Sequence, residues 1–306
     1  MMKIKVAVSG IHYPLSIMRY FISALHRRDD VELWTCGPFT GNSIPWKGGM
    51  IIQSKHIHTP DFPFSSQDIS QSPSSVILKS IMPWKPDIFM MIDAGWHFRD
   101  RPDADHVVLI ETDPHVLKGH YDAVADVVDR VYCMQQVYSK SGDIYLPYCA
   151  DPVWHATLEM EKEYDVCLIG LQYPNRTALV NRLRKRGLKV FYDIGIVYDE
   201  YQEMYAKSKV AISWSSLDDL IARVFEGMLM KVPVVCNRVT DLPLHFDEGT
   251  HYLGFDALDE AEKQVMMVLN HYDVSIRMAE QAHELVKENH LYDYRIQTIL
   301  EDFDLL

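Results

Sequence analysis

The sequence predicts an α/β protein built of two consecutive Rossmann-like domains that face each other across a cleft. Three observations predict it. From residue 3 onward, short apolar runs ending in glycine or polar residues alternate with stretches of helical period. The alternation lapses at Pro147-Tyr-Cys-Ala-Asp-Pro152, where two prolines interrupt any periodic pattern, and restarts at Tyr164. The tail from residue 259 to 306 is helical in pattern, with a break near His290-Leu-Tyr-Asp293, and is long enough to cross back to the first half. These features place the first domain at residues 1–148 together with the C-terminal helix from about 291 to 306. The second domain is placed at 149–290.

Residues 3–9 (KIKVAVS) read as a strand buried on both faces, Gly10 to Pro14 as a turn, 15–27 as a helix and 31–35 as a second strand. The turn lacks the G-x-G-x-x-G spacing of dinucleotide-binding loops, which leaves a loop at a strand's carboxyl end that faces some other ligand. Residues 37–75 are rich in Gly, Pro, Ser and His, with Ile51-Ile52 as a short strand. A connection of that length is either a functional loop, acceptor recognition being one use, or a variable surface excursion. Residues 87–92 and 106–110 are further buried strands, and 131–134 and 144–146 complete the first half. In the second half the strands are 164–169, 188–192, 209–213 and 232–236. Helices over 176–186, closed by Gly187, and over 201–206 separate them, and a third carries Arg223 and Glu226.

Composition narrows the function. The 306 residues carry 43 acidic and 30 basic side chains, a net charge of −13, which argues against a broadly basic nucleic-acid surface. It leaves nucleotide binding open, since a few arginines and helix N-termini suffice for that. The five cysteines are scattered and not at metal-ligand spacing, as suits reduced thiols in a cytoplasmic protein. The N-terminal apolar run is too short for a secretory signal, and no stretch approaches the ~20 apolar residues of a membrane helix, so stable membrane insertion is not expected. No H-E-x-x-H pair or G-x-S-x-G elbow occurs, and no metal site is expected.

The chemistry-bearing residues cluster after strands. Arg223 and Glu226 are three apart and share a helix face. One reading is an ordinary intrahelical ion pair worth ~0.3–0.5 kcal/mol. The other is a phosphate-binding arginine beside a carboxylate that accepts from ribose hydroxyls. Asp218 is either a first-turn acid in a cap built by Ser216 and Asp219 or, eight residues before Glu226 and within ~80° of it on a helix, part of the same ligand-binding face. Gly170 to Arg176 ends a strand and opens a helix, so its backbone can approach a ligand and Arg176 is either a phosphate contact or a solvated first-turn residue. In the first half, His12, Asp93, His97, Glu111, Asp113 and His115 all follow strands. Asp93, Asp113 and His97 are the candidate general bases.

The run Arg223-Val-Phe-Glu226-Gly-Met-Leu-Met-Lys-Val-Pro-Val-Val235, followed by Asp241-Leu-Pro and Glu248-Gly-Thr, resembles the carboxyl-terminal domain of GT-B glycosyltransferases. The spore-maturation-type subfamily is the nearest in pattern. Leu146-Pro-Tyr-Cys-Ala-Asp-Pro152, Tyr164-Asp-Val, Gly170, Tyr173-Pro and Arg176 match its order upstream, and the resemblance spans about residues 111–294. It implies that Glu226 binds the ribose, that Arg223 and Arg176 face the diphosphate, and that Gly170 gives close backbone access. Tyr173 and Asp241 complete the nucleotide-binding set. Asp218 stands where retaining family-four enzymes place the first glutamate of E-x7-E, near the donor sugar, one methylene shorter here. The resemblance makes 149–290 the nucleotide-sugar-binding domain and 1–148, with the helix from about 291 to 306, the acceptor-side domain. Lys231 replaces the glycine of the usual A-C-G-x-P.

The implied function is metal-independent transfer of a hexosyl or pentosyl group from a nucleotide-sugar, a UDP-sugar foremost, with arginines and a helix N-terminus stabilising the diphosphate. The acceptor is a glycan, small molecule, protein or modified DNA base. The alternatives are a sugar-nucleotide epimerase on the same fold and a non-catalytic nucleotide-binding or interaction protein.

Overall fold

The structure is a computed structural model that describes residues 3–45, 50–65 and 72–306. The chain divides into two compact units, Met1–Pro147 with Tyr292–Leu306, and Tyr148–Leu291.

The first unit contains β1 (Ile4–Ser9), α1 (Met18–His26), β2 (Val31–Pro38), β3 (Ser43–Pro45), β4 (Ile51–Gln53), β5 (Phe62–Phe64), α2 (Leu78–Ile81), β6 (Ile88–Ile92), β7 (His106–Glu111), α3 (Pro114–Asp122), β8 (Arg130–Cys133), β9 (Ile144–Tyr145) and α9 (Tyr292–Glu301). Seven strands form one sheet in the order β5-β2-β1-β6-β7-β8-β9, with every neighbouring pair parallel. Parallel strands covered on both faces need apolar residues at every position. The sequence IFMMI of β6 meets that need and is buried throughout.

The long segment 37–75 is more structured than its composition suggests. β2 runs on to Pro38, and β5 adds an edge strand in register Cys36 to Phe62, while β3 and β4 form a small antiparallel pair. Two edge phenylalanines explain the outcome: Phe64 packs on Trp96 at 4.8 Å between ring centroids and on Phe62 at 5.1 Å. Residues 46–49 and 66–71 of that segment lie outside the described residues.

At the other end, α8 stops at Asn289 and α9 starts at Tyr292, which is the break expected near 290–293. Helix α9 packs on α1, with Tyr292 edge-on to Phe21 at 4.9 Å and Arg27 donating twice to the Asp293 carboxylate at 2.8 and 2.6 Å.

The second unit contains β10 (Tyr164–Ile169), α4 (Pro174–Lys185), β11 (Val190–Asp193), α5 (Asp199–Ala206), β12 (Ser208–Ser213), α6 (Ala222–Leu229), β13 (Val234–Asn237), β14 (Leu253–Phe255), α7 (Leu258–Asn270) and α8 (Tyr272–Asn289). Its five strands are all parallel in the order β11-β10-β12-β13-β14. Val166, Leu168, Leu179, Leu183, Ile212 and Phe255 anchor its core.

The proline-bearing segment at 147–152 is more than a connector. The Asp151 carboxylate accepts from the N–H groups of Val153 at 2.9 Å and Trp154 at 3.1 Å, and the Ala150 N–H donates to the His290 carbonyl at 2.9 Å. An aspartate that satisfies its own turn in this way makes a fixed structure without any apolar periodicity.

Candidate functional site

Ligands of a doubly wound sheet bind outside the carboxyl ends of the strands, where the strand order reverses. In the second unit that point lies between β10 and β12. The residues just beyond these strands, Tyr173 to Arg176 and Trp214 to Ser216, line a cavity of about 260 Å³.

Gly170 directly follows β10 at this point. Its φ of +147° is open to glycine and strained for other residues. A Cβ there would stand 3.1 Å from Arg176 Nη1 and 3.3 Å from Arg223 Cζ. Glycine is therefore demanded twice, by backbone conformation and by the two guanidinium groups that close over it.

Arg176 is buried, not a solvated first-turn residue. Its guanidinium donates through Nε to the Trp214 carbonyl at 2.7 Å, again through Nη2, and through Nη1 to the Leu171 carbonyl at 3.0 Å. It lies over the Tyr173 ring at 4.9 Å. Burial first, and the like charge of Arg223 second, pull its pKa down to about 10, so it stays protonated at neutral pH.

Arg223 forms no salt bridge with Glu226 or with any other carboxylate among the described residues. The intrahelical pair, one of the two readings of the spacing, is absent because Glu226 has other partners. The Tyr201 hydroxyl donates to its Oε2 at 2.5 Å, and His155 Nε2 stands 3.5 Å from its Oε1. Two adjacent cations, neither in a salt bridge with a carboxylate among the described residues, at the N-terminus of α4 that no side chain caps, make a site for an anion with more than one charge.

Residues 153–301 match the family described as "Glycosyl transferase-like". The matched region therefore holds Arg176, Arg223 and Glu226 together. No curated protein sequence matches the chain. Several solved structures share its fold. One is an alpha-glucosyltransferase in complex with UDP-glucose and DNA containing an abasic site, at 10% identity and a TM-score of 0.65 over 99% of this chain and 100% of that one. Another is sucrose-phosphate synthase from Thermosynechococcus elongatus, at 10% identity and a TM-score of 0.64 over 99% and 98%. A third is a putative UDP-N-acetylglucosamine 2-epimerase from Listeria monocytogenes, at 12% identity and a TM-score of 0.53 over 98% and 95%. At these identities the likeness is one of fold: two Rossmann-like domains of the GT-B type.

Within the glycosyl transferase-like region, one of the two readings of Asp218 falls away. Asp218 caps no helix. Residues 216–221 are irregular and α6 begins at Ala222. Asp218 instead accepts from the Thr240 N–H at 2.7 Å and the Thr240 hydroxyl at 2.5 Å, and Ser215 donates to Asp219. Short polar side chains that bond to a neighbouring loop compete with helix formation. Asp241 is buried on the following connection, next to Thr240. Lys231, where the resemblance calls for glycine, has φ +60° and closes α6 in the left-handed conformation that glycine takes without strain.

In the first unit the reversal lies between β1 and β6, and Asp93 is the residue directly after β6. It too has a positive φ, +67°. Its carboxylate accepts from the Thr112 hydroxyl at 2.7 Å and the Ala94 N–H at 2.8 Å, yet burial holds its pKa above the usual aspartate range. Asp113 follows Thr112, and its N–H donates to the Tyr121 hydroxyl at 3.3 Å. His97 lies deeper, beside the Asp93 backbone, with neither ring nitrogen in hydrogen-bond geometry to any described residue, and burial lowers its pKa to about 4. His12 is buried with its Nε2 3.3 Å from the Cys36 carbonyl, and His115 stacks on Tyr138 at 4.5 Å.

Among the described residues one group has metal-ligand character, Glu111, Cys133 and Asp143 within 4.8 Å of one another. The Lys140 ammonium, 3.2 Å from Glu111, already supplies a cation there.

Sequence reasoning missed Tyr201, His155 and Trp214. Tyr201 is one of several tyrosines at a helix start, and Trp214 acts through its carbonyl, which no side-chain pattern reports. His155, four residues after Asp151, was legible as part of a turn whose partner is fixed only on folding.

Proposed function

We propose that this protein is a glycosyltransferase that takes a hexosyl or pentosyl group from a UDP-sugar. The observation that carries the reading is the pair Arg176 and Arg223, closed over Gly170 at the strand reversal and in no salt bridge with a carboxylate among the described residues. Departure of the sugar places negative charge on the leaving diphosphate. Fixed guanidinium groups and the α4 N-terminus meet that charge without having to reorganise as it develops. In this role they supply what a divalent metal supplies elsewhere, and the reaction is metal-independent. Glu226 accepts from the ribose hydroxyls, Tyr173 and Asp241 border the nucleotide, and Asp218 stands toward the donor sugar.

The family match over residues 153–301 supports sugar transfer, and the fold shared with structures solved with UDP or UDP-glucose supports the uridine nucleotide. The R-x-F-E run at Arg223 supports the narrower kinship with the spore-maturation-type subfamily. The first unit binds the acceptor, a glycan, small molecule, protein or modified DNA base, and the net charge of −13 makes DNA the least favoured of these. Asp93 is the residue that receives the acceptor's proton if the reaction inverts, ahead of Asp113 and His97, because burial raises its basicity while its oxygen stays hydrogen-bonded and oriented. Five free, buried cysteines suit the cytoplasm, where nucleotide-sugars are made.

Calorimetric titration with UDP, followed by release of UDP from a panel of UDP-sugars, tests the reading. Micromolar UDP binding that Arg223→Ala weakens about 10- to 100-fold is the expected result, since hydrogen bonds to charged groups contribute about 1.5–3 kcal/mol. A wild-type protein blind to UDP sinks it. Formation of an epimer or free sugar from the donor alone, with no acceptor product, replaces transfer by the epimerase reading.

A further inference from the structure

Glu226 is nine-tenths buried on a helix face where an apolar residue would cost nothing in desolvation. The protein builds a dedicated frame around it. Tyr201 and His155 come from separate elements, α5 and the turn after β9, and both lie beside the carboxylate, one on each oxygen. The proton on His155 is fixed by its other nitrogen. The Asp151 N–H donates to Nδ1 at 2.9 Å, so the one proton of the neutral ring is on Nε2, on the side of Glu226 Oε1. The two supports are also tied to each other, since the Gln202 amide of α5 donates to the Val153 carbonyl of the turn at 2.6 Å. Gly227 lets this frame close. A Cβ there would come within 3.2 Å of both Tyr205 and Val234, so its absence allows α6 to sit against α5.

We propose that Tyr201 and His155 are positioning residues that aim the Glu226 carboxylate at the 2′- and 3′-hydroxyls of the donor's ribose, and so make the site select ribonucleotides over 2′-deoxyribonucleotides. The inference rests on the nucleotide reading given above. Arg223 lies one helical turn before Glu226 on the same face, so a diphosphate on Arg223 leaves the ribose edge at Glu226. A carboxylate with both oxygens fixed accepts from two vicinal hydroxyls in one geometry; loss of one hydroxyl leaves a desolvated oxygen without its donor, which is the strong form of discrimination. A carboxylate free to rotate would adapt to the single hydroxyl that remains.

The test is calorimetry with UDP, 2′-deoxy-UDP and inorganic pyrophosphate on the full chain. The wild type is expected to prefer UDP to 2′-deoxy-UDP by about tenfold or more. Tyr201→Phe is expected to reduce that preference to about two- to threefold while pyrophosphate, which meets only the arginines, binds as before. His155→Leu should act in the same direction and His155→Gln, which keeps a donor, should restore the preference, so the question survives if one variant does not fold. A preference unchanged in Tyr201→Phe and His155→Leu overturns the proposal. So does an equal loss of all three ligands, which is the mark of a merely structural role. A wild type that binds UDP and pyrophosphate without discriminating against 2′-deoxy-UDP overturns the proposal and leaves the nucleotide reading standing. A wild type that binds none of the three overturns both.

Discussion

Arg176 and Arg223 meet over the bare α-carbon of Gly170, each within 3.3 Å of the position a Cβ would take. The first is locked by two main-chain carbonyls and the second is held by none among the described residues. The two arginines therefore carry different loads. Replacing Arg176 by alanine leaves the Trp214 and Leu171 carbonyls without their donor and lowers both stability and UDP affinity. Arg223→Ala lowers affinity alone and, by relieving like-charge repulsion, leaves the melting temperature unchanged or raised. Scanning fluorimetry beside calorimetry separates the two; a destabilised Arg223→Ala contradicts the assignment.

Gly170→Ala should be severe. The backbone strain of such a φ costs of order 1–3 kcal/mol, and the added methyl also displaces one or both guanidinium groups. Loss of most UDP affinity, with a melting temperature several degrees lower, is expected. An alanine variant that binds UDP normally removes the need for close packing at this point.

Lys231 offers the opposite change. It occupies the left-handed position at the end of α6 with φ +60°. Lys231→Gly should stabilise the fold by up to about 1 kcal/mol, the relief of left-handed strain being partly offset by the entropy of a new glycine. Urea unfolding measures this directly.

Asp93→Asn tests the proton acceptor. UDP binding should persist while turnover with acceptor falls by about 10²–10⁴-fold, if the reaction inverts. Burial raises the Asp93 pKa, so in the wild type the acid limb of the rate profile should lie at higher pH than an ordinary aspartate gives. A profile flat down to pH 4 dismisses Asp93 as the base. Chelation with EDTA should leave the wild-type rate intact, and a loss restored by Mg²⁺ or Mn²⁺ would show that the arginines do not suffice.

Stability itself should depend on pH through two buried histidines. His12, beside His58 and Asp61, and His97, beside His120 and Asp93, both have pKa values lowered by burial from 6.5 to about 4. Between those values the unfolded chain binds protons that the folded chain refuses, so stability falls as pH drops from about 6.5 toward 4 and rises as pH increases. Each histidine contributes up to about 3 kcal/mol to that fall. Urea unfolding of His97→Leu between pH 4.5 and 7.5 should show a shallower dependence than the wild type.

Much of this fold was written in the chain. Apolar runs such as IFMMI at β6 have one use, a parallel strand covered on both faces, and their order alone implied two doubly wound sheets. Gly170, Arg176, Arg223 and Glu226 could be singled out because glycine after a strand and arginine in a first turn have local meanings. Pairing was not local. The sequence allowed Arg223 to bond Glu226 three residues away, and the tertiary structure gave Glu226 to Tyr201 and His155 instead, 25 and 71 positions distant. It likewise drew Asp218 from a helix cap to Thr240, and made Arg176 a buried anchor through a Trp214 carbonyl that every residue type possesses. Residue type and spacing determined which groups could bind a phosphate or a sugar. Only the packing of α4, α5 and α6 on one sheet decided which of them lost their water, and to whom each was bonded in exchange.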